Sequence, residues 1–220
     1  MKRAPDHSRW HATLAILAAM LLYALLPARF TIGPVWVGPA LVLIVLVPLI
    51  VMRARQSRSM LQRAASIVLI AIVNFFNAVS VVLLVHTLVT QAHQQTGAEL
   101  LLSGSQIWLT NVLVFSLWFW ELDGDGPVPR SLAACAKDVS NADFLFPQMS
   151  ADPARNPWVP TDWKPQFVDY LYLAFTNATA FSPTDVMPLT PMAKMLMLVE
   201  SLISLVTLAL ILARSVNIIT

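Results

Sequence analysis

The sequence predicts an all-α membrane protein, and two observations lead to this fold class. Hydrophobic residues make up 57% of the 220-residue chain and charged residues only 12%, whereas a soluble domain carries about 25% charged residues. The apolar residues also form blocks of about 20, which is the length of helix that crosses a bilayer. We therefore expect five transmembrane helices and one short helix near residues 166–182 that is either re-entrant or a sixth span.

Five apolar blocks define the expected spans. They are Ala12–Pro27, Val35–Met52, Ala65–Val89, Leu100–Glu121 and Met192–Ala213. The first block has the position of a signal peptide, but Leu25–Arg29 lacks the small-x-small pattern of a cleavage site, so we assign the block as a span. The chain then divides into a four-helix membrane region (1–121), a polar, proline-rich loop (122–165) and a C-terminal region (166–220).

The distribution of basic residues predicts the orientation, because loops rich in lysine and arginine stay in the cytoplasm. Such residues precede the first span and fill the loop 53–63, whereas the loops on the opposite side hold only Arg29. We therefore expect a multi-pass protein of the plasma or bacterial inner membrane with a cytoplasmic N-terminus and a cytoplasmic loop 122–165. The net charge of +2 comes from clustered arginines that orient loops, so lipid is an expected partner and nucleic acid is not.

Chemical motifs in the polar loop are weak. The carboxylates of Glu121–Gly126 lie close together but lack the ligand spacing of a calcium loop, so we interpret this stretch as a solvated turn. Cys135 is the only cysteine, and one cysteine makes neither an intrachain disulfide nor a thiolate metal site. No phosphate loop, zinc-peptidase motif or nucleophile elbow is present, so we expect no enzyme activity, metal or cofactor.

The segment after Pro165 carries the most specific signal. Gln166–Phe175 has a helical pattern but is short and polar for a span. An irregular stretch, Thr176–Asp185, follows it, and Thr190 and Pro191 then provide the cap and first residue of the last helix. A half-helix, an irregular strand and a full helix in this order are typical of a re-entrant pore loop.

Residues 175–191 read FTNATAFSPTDVMPLTP and resemble, without a gap, the pore sequence FTTLTTVGYGDITPVTP of potassium channels. The matching residues are Phe175, Thr176, Thr179, Asp185, Pro188, Thr190 and Pro191. The resemblance continues weakly through Ala193, Lys194 and Glu200, and from Phe167 onward it covers about 50 of the 220 residues. The same tail, together with Trp118–Asp123, also looks like a group of bacterial membrane proteins of no assigned activity. The channel resemblance implies monovalent cations as partners and a homo-oligomer, with four copies around one pore.

The glycines of the channel filter are replaced in this chain. In potassium channels two glycines allow the backbone geometry by which carbonyl oxygens replace the water shell of the ion. Here Ser182 and Thr184 stand at the glycine positions and Pro183 stands between them. Proline has no amide hydrogen, and serine and threonine are strained at positive φ, so we do not expect a potassium-selective carbonyl filter.

Three interpretations of the segment stay open. In the first it forms a less selective cation pore. In the second it belongs to a channel-derived scaffold or regulatory protein that does not conduct, and in the third it is a helix that crosses the membrane fully at 167–183. The residues expected at a constriction are Thr176, Thr179, Ser182, Pro183, Thr184 and Asp185. Channel pore loops enter from outside, whereas the basic residues place the loop 122–165 inside, and full crossing is the simplest way to remove this conflict.

Polar side chains recur at helical spacing within the expected spans. On the last span they share one face with small and flexible residues, namely Ala193, Met197, Glu200, Ser204, Thr207 and Arg214, and we expect this face to turn inward. Glu200 is expected either to serve a cation or proton, lining a cavity with Ser204 and Thr207, or to hydrogen-bond another helix. Asn74 and Asn77 stand three residues apart in the third span, and as amide side chains at bilayer depth they are expected to face protein or water.

Overall fold

A computed structural model describes residues 7–54, 60–90, 97–127, 141–150, 163–179 and 185–219. Within these ranges the chain is mostly helical, as predicted. The helices are α1 (His7–Ala24), α2 (Val37–Ala54), α3 (Met60–Thr90), α4 (Gly97–Leu122), α5 (Pro147–Ser150), α6 (Phe167–Thr179) and α7 (Pro191–Ile219). Two short strands, β1 (Phe144–Leu145) and β2 (Met187–Pro188), pair antiparallel, and 3₁₀ turns cover Ala28–Phe30 and Asp123–Asp125.

Three of the described helices are long and apolar enough to cross a membrane. They are α3, α4 with the turn that follows it, and α7 as far as Ala213. Within α1 and α2 the apolar helical stretches Trp10–Ala24 and Val37–Val51 are shorter than these three. The structure therefore has the apolar helices of a membrane protein.

Helix α7 is apolar on the outside and polar on the inside. It exposes Leu198 and Leu202 and fully buries Glu200, Ser204 and Thr207. A helix at the surface of a soluble protein has the opposite arrangement, whereas helices in hydrocarbon turn polar groups toward other helices. The buried polar positions are those that the helical spacing predicts.

The described chain divides into two compact units. The first comprises residues 115–201 with the N-terminal residues up to Thr13, and thus holds the end of α4, the β1–β2 pair, α6 and the start of α7. Its core is aromatic. Ring pairs connect α4, β1 and α6, with centroid distances of 5.2 Å for Phe119–Phe144, 6.4 Å for Phe144–Tyr170 and 5.2 Å for Phe146–Tyr170.

The second unit comprises residues 14–114 and 202–220. One cluster in its buried core comprises Tyr23, Leu26, Phe30, Phe76, Leu84, Leu100 and Ile107. Arg29 forms an ion pair with Glu99 and thereby joins the Ala28–Phe30 turn to the first turn of α4. Helices α4 and α7 pack closely at Gly104, because a Cβ atom there would lie 2.7 Å from Cγ1 of Ile211.

Candidate functional site

Helix α6 is a short helix that contains the first two residues of the predicted constriction. Its start is capped by Asp169, whose Oδ2 accepts a hydrogen bond from the amide of Gln166 at 2.7 Å. The hydroxyl groups of Thr176 and Thr179 donate to carbonyl oxygens one turn earlier in the same helix, each at 2.8 Å. Thr176 and Thr179 therefore form part of the last turn of α6.

Asp123 lies at the end of α4 and is fully buried. Its Oδ1 accepts hydrogen bonds from the amides of Asp143 at 2.7 Å and Phe144 at 3.3 Å, and its Oδ2 accepts one from the hydroxyl of Tyr170. The prediction of a solvated turn is therefore wrong at Asp123. The carboxylate can stay in the interior because protein donors replace the water molecules that would solvate it in an exposed turn.

Asp143 connects this carboxylate to the start of the last helix. Its Oδ1 accepts a hydrogen bond from the hydroxyl of Thr190 at 2.5 Å, and its backbone carbonyl accepts one from the amide of Leu189 at 2.8 Å. Its Oδ2 accepts a weaker bond from the amide of Gly124 at 3.3 Å. Thr190 in turn accepts a hydrogen bond from the amide of Ala193 at 3.3 Å, which confirms its predicted role as the helix cap.

We call Asp123, Asp143, Tyr170 and Thr190 the carboxylate junction. The carboxylate junction joins three places in the first unit: the end of α4, the first turns of α6 and the residue before α7. The β1–β2 pair lies beside it, since Phe144 is opposite Pro188 and Leu145 is opposite Met187. The starts of α6 and α7 are consequently held at the same end of this unit.

Asn177 holds the other end of α6 to α7. Its side-chain amide donates to Oε2 of Glu200 at 2.7 Å and to the backbone carbonyl of Met197 at 2.9 Å. The hydroxyl of Ser201 donates to the backbone carbonyl of Asn177 at 3.3 Å, one of the carbonyls that the end of a helix leaves without a helical partner. Helix α6 and the first turns of α7 thus run side by side in the same direction.

The residues predicted at the constriction fall into three groups. Thr179 and Asp185 are exposed, at the two ends of the stretch 180–184, and Thr176 is half-buried. Ser182, Pro183 and Thr184 lie outside the described residues. The structure therefore places Thr176 and Thr179 on the helix and leaves the Asp185 side chain at a surface of the chain.

The residues predicted to line a cavity are all buried within the chain. Glu200, Ser204 and Thr207 have no exposed surface. Glu200 accepts the hydrogen bond from Asn177, and the hydroxyl of Thr207 donates to the carbonyl of Ile203 on its own helix at 2.8 Å. In a single chain these side chains serve helix contacts, which was the second of the two roles expected for Glu200.

A second polar contact connects three helices in the other unit. The side-chain amide of Asn77 donates to Oδ1 of Asn111 at 3.4 Å, and the amide of Asn111 donates to the hydroxyl of Ser204 at 3.1 Å. Asn77 is buried and forms an interhelical hydrogen bond, whereas Asn74 is only half-buried. Sequence reasoning missed Asn111, which is fully buried beside Thr110 in the fourth span.

Comparison with known proteins finds no match to this chain: no protein-family model, curated protein or solved structure is similar to it. Within the described ranges, no three His, Cys, Asp or Glu side chains come together as metal ligands. The function is therefore inferred from the carboxylate junction, the Asn177–Glu200 contact and the exposed residues at the ends of 180–184.

Proposed function

We propose that the protein is a cation-channel-like membrane protein in which residues 166–190 form a re-entrant segment. The carboxylate junction is the observation that carries this proposal. Tyr170, near the start of α6, donates to the Asp123 carboxylate, and Thr190, just before α7, donates to the Asp143 carboxylate. The backbone amide of Asp143 donates to the Asp123 carboxylate and so connects the two. A helix that crossed fully at 167–183 would separate Tyr170 from Thr190 by most of the hydrocarbon core, which is ~30 Å thick.

Chain lengths are compatible with re-entry. Helix α6 has 13 residues, so it extends for about 20 Å, or two-thirds of the hydrocarbon core. The chain from Thr179 to Met187 reaches up to about 27 Å when extended, at ~3.3–3.6 Å per residue. This reach is sufficient to return from the end of α6 to the strand pair beside the carboxylate junction.

The proposed topology has five spans, α1 to α4 and α7, with α6 as the half-helix. Helices α1 and α2 have 18 residues each, which is near the lower end of the ~17–25 residues that cross a bilayer. Four crossings from a cytoplasmic N-terminus bring the chain back to the cytoplasm at the end of α4. The re-entrant segment then enters from the cytoplasmic side, opposite to that of potassium channels.

A ring of Asp185 carboxylates would provide the charge at the constriction. Asp185 is exposed in the single chain, and rings of acidic side chains select cations over anions. The ring requires several copies of the chain around an axis, and the resemblance to potassium channels indicates four. Thr179, Ser182 and Thr184 would contribute hydroxyl oxygens, and the buried Glu200 is left out of the pore lining.

A non-conducting scaffold or regulatory protein is the second candidate. It is favoured by the contacts of Glu200 with Asn177 and of Ser204 with Asn111, because both place intramembrane polar groups in helix contacts within one chain. Such contacts are the usual role of polar residues in membrane helices. In the second candidate the segment is also re-entrant, but no ion passes through it.

Ion flux into liposomes distinguishes the two candidates. Purified protein is reconstituted, and the influx of sodium, potassium and protons is measured for the unmodified chain, Asp185→Ala and the charge-preserving control Asp185→Glu. We expect sodium and potassium flux that falls about tenfold when the acidic ring is removed and is retained in Asp185→Glu. Absence of flux for all three ions in folded, reconstituted protein contradicts the channel proposal and supports the scaffold.

A further inference from the structure

Large apolar side chains are exposed along one face of α7. Met192, Met195, Leu198 and Leu202 follow one another at intervals of three or four residues, which is the spacing of a single helix face. Each of these four side chains is 55–61% exposed. A continuous apolar face of this kind is unfavourable in water and stable against hydrocarbon, so we assign it to the lipid-facing side of the span.

The exposed apolar surface does not end where α7 begins. Met187 in β2 and Leu189 directly after it are 60% and 47% exposed. They stand two residues apart in extended chain, where alternate side chains point to the same side. Leu189 is separated from Met192 by only three residues. We call Met187, Leu189, Met192 and Met195 the apolar stripe, which continues the outward face of α7 onto the strand pair.

Two charged residues limit how deep the apolar stripe can lie. The apolar span of α7 begins at Pro191, and Lys194 is exposed about 4.5 Å farther along the helix axis. A lysine at this depth can extend its ammonium group back to the headgroups. Asp185, two residues before Met187, is also exposed, and a carboxylate is costly in hydrocarbon. The strand pair therefore fits the hydrated headgroup region, where residues remain accessible to water-soluble reagents.

We propose that the apolar stripe inserts into the surface of the bilayer, so that the β1–β2 pair lies in the headgroup region of the leaflet that holds the carboxylate junction. The occupant of the stripe is lipid, at the boundary between headgroups and acyl chains. Lipid is favoured because the stripe is continuous with the outward face of α7. Three of its four residues are methionines, whose flexible side chains adapt to an irregular surface.

The inference goes beyond the proposed channel function, because it requires α7 to span the membrane but does not require the chain to conduct ions. It also assigns a partner to part of the stretch predicted as a polar loop. Phe144 and Leu145 lie opposite Pro188 and Met187 in the strand pair, so insertion of the stripe brings β1 to the membrane surface as well. The carboxylate junction beside the strands is then held at headgroup level.

The test measures the depth of single fluorescent probes in liposomes. In a Cys135→Ser background, Met187→Cys and Leu189→Cys are each labelled with an environment-sensitive fluorophore. The protein is reconstituted with phospholipids that carry a nitroxide quencher at the headgroup, near the top of the acyl chain or near its end. We expect both probes to be quenched most strongly by the headgroup and upper-chain nitroxides, at a depth of about 5–10 Å.

Two further positions serve as controls. Gln148 is exposed on α5 in the same unit, and the probe on Gln148→Cys should be quenched by iodide in the water and by none of the nitroxides. Leu202 lies about 15 Å along the axis of α7 from Met192. The probe on Leu202→Cys should therefore be quenched most strongly by the nitroxide near the end of the acyl chain.

The quenching pattern identifies what covers the apolar stripe. Quenching of the Met187 and Leu189 probes by iodide and by no nitroxide would show that the stripe faces water, which contradicts insertion. Protection of both probes from iodide and from every nitroxide would show that protein covers the stripe, and a second copy or another protein would replace lipid as the occupant. Either result overturns the inference and leaves the ion-flux test of the channel proposal unaffected.

Discussion

The hydroxyl of Tyr170 donates a hydrogen bond to Oδ2 of Asp123, which lies 47 residues earlier in the chain, and both side chains are fully buried. This bond joins the end of α4 to the first turns of α6. Asp123 also binds the amide of Asp143, and Asp143 binds Thr190. Two carboxylates thus hold the starts of α6 and α7 at the same place, and the proposed re-entrant segment rests on this geometry.

Removing the Tyr170 hydroxyl is expected to destabilise the protein. Tyr170→Phe leaves the ring contacts with Phe144 and Phe146 in place but takes one donor from a buried carboxylate, a loss of about 1–3 kcal/mol. Thermal or denaturant unfolding in mild detergent measures the effect. Tyr172→Phe is the control, because Tyr172 is exposed on the same helix, and equal stability of the two variants would contradict the role of the carboxylate junction.

Thr190→Val should cost stability at the start of α7. The variant keeps the shape of the side chain but removes the hydrogen bond to Asp143 and the cap on the amide of Ala193, with an expected loss of about 1–2 kcal/mol. Thr176→Val is a suitable comparison, because the Thr176 hydroxyl donates only to carbonyls of its own helix. Such bonds add little to the stability of a helix. The stability of both variants is measured by unfolding in the same detergent. A larger loss in Thr176→Val would contradict the stabilising role of Thr190.

The Asn77–Asn111–Ser204 contact should contribute to the stability of the second unit. Asn111→Ala removes the acceptor for Asn77 and the donor for Ser204, and interhelical hydrogen bonds in membranes are worth about 0.6–2 kcal/mol each. We expect a clear fall in the unfolding midpoint for Asn111→Ala and a smaller one for Asn74→Ala, because Asn74 is half-buried. An equal fall in the unfolding midpoint for both variants would show that the Asn77–Asn111–Ser204 contact does not contribute to stability.

Gly104 and Ile211 should show coupled effects. Gly104→Ala places a methyl group 2.7 Å from Cγ1 of Ile211, and such overpacking costs about 1–3 kcal/mol. Ile211→Ala opens the space that the new methyl group needs. In a double-mutant cycle we expect the combined variant to lose less stability than the sum of the single variants, and strict additivity would rule out the close contact.

The inward face of α7 could be predicted because the residues that define it lie within one span. Glu200, Ser204 and Thr207 recur at helical spacing in an apolar span, and hydrocarbon forces such a face to turn toward protein. The cap at Thr190 is equally local, since threonine before proline is a common start of a helix. Where the signal lies within one or two turns, the sequence is sufficient.

The carboxylate junction could not be predicted because its partners are distant in the chain. Asp123 stands in a stretch rich in glycine and acidic residues, which locally favours a solvated turn, and nothing near it indicates that Tyr170 and the amide of Asp143 will surround it. Asn177 was overlooked for a different reason. It lies between two threonines that match the channel sequence, and its contact with Glu200 depends on α6 packing alongside α7.

Labelling two single-cysteine variants from each face of the membrane tests the re-entrant segment most directly. In a Cys135→Ser background, which removes the only native cysteine, Gln166→Cys and Leu189→Cys place single thiols at exposed positions before α6 and before α7. A membrane-impermeant maleimide is added to right-side-out and inside-out vesicles. We predict that both positions are labelled from the same, cytoplasmic face; labelling of Gln166→Cys and Leu189→Cys from opposite faces would show that α6 crosses the membrane and would contradict the account.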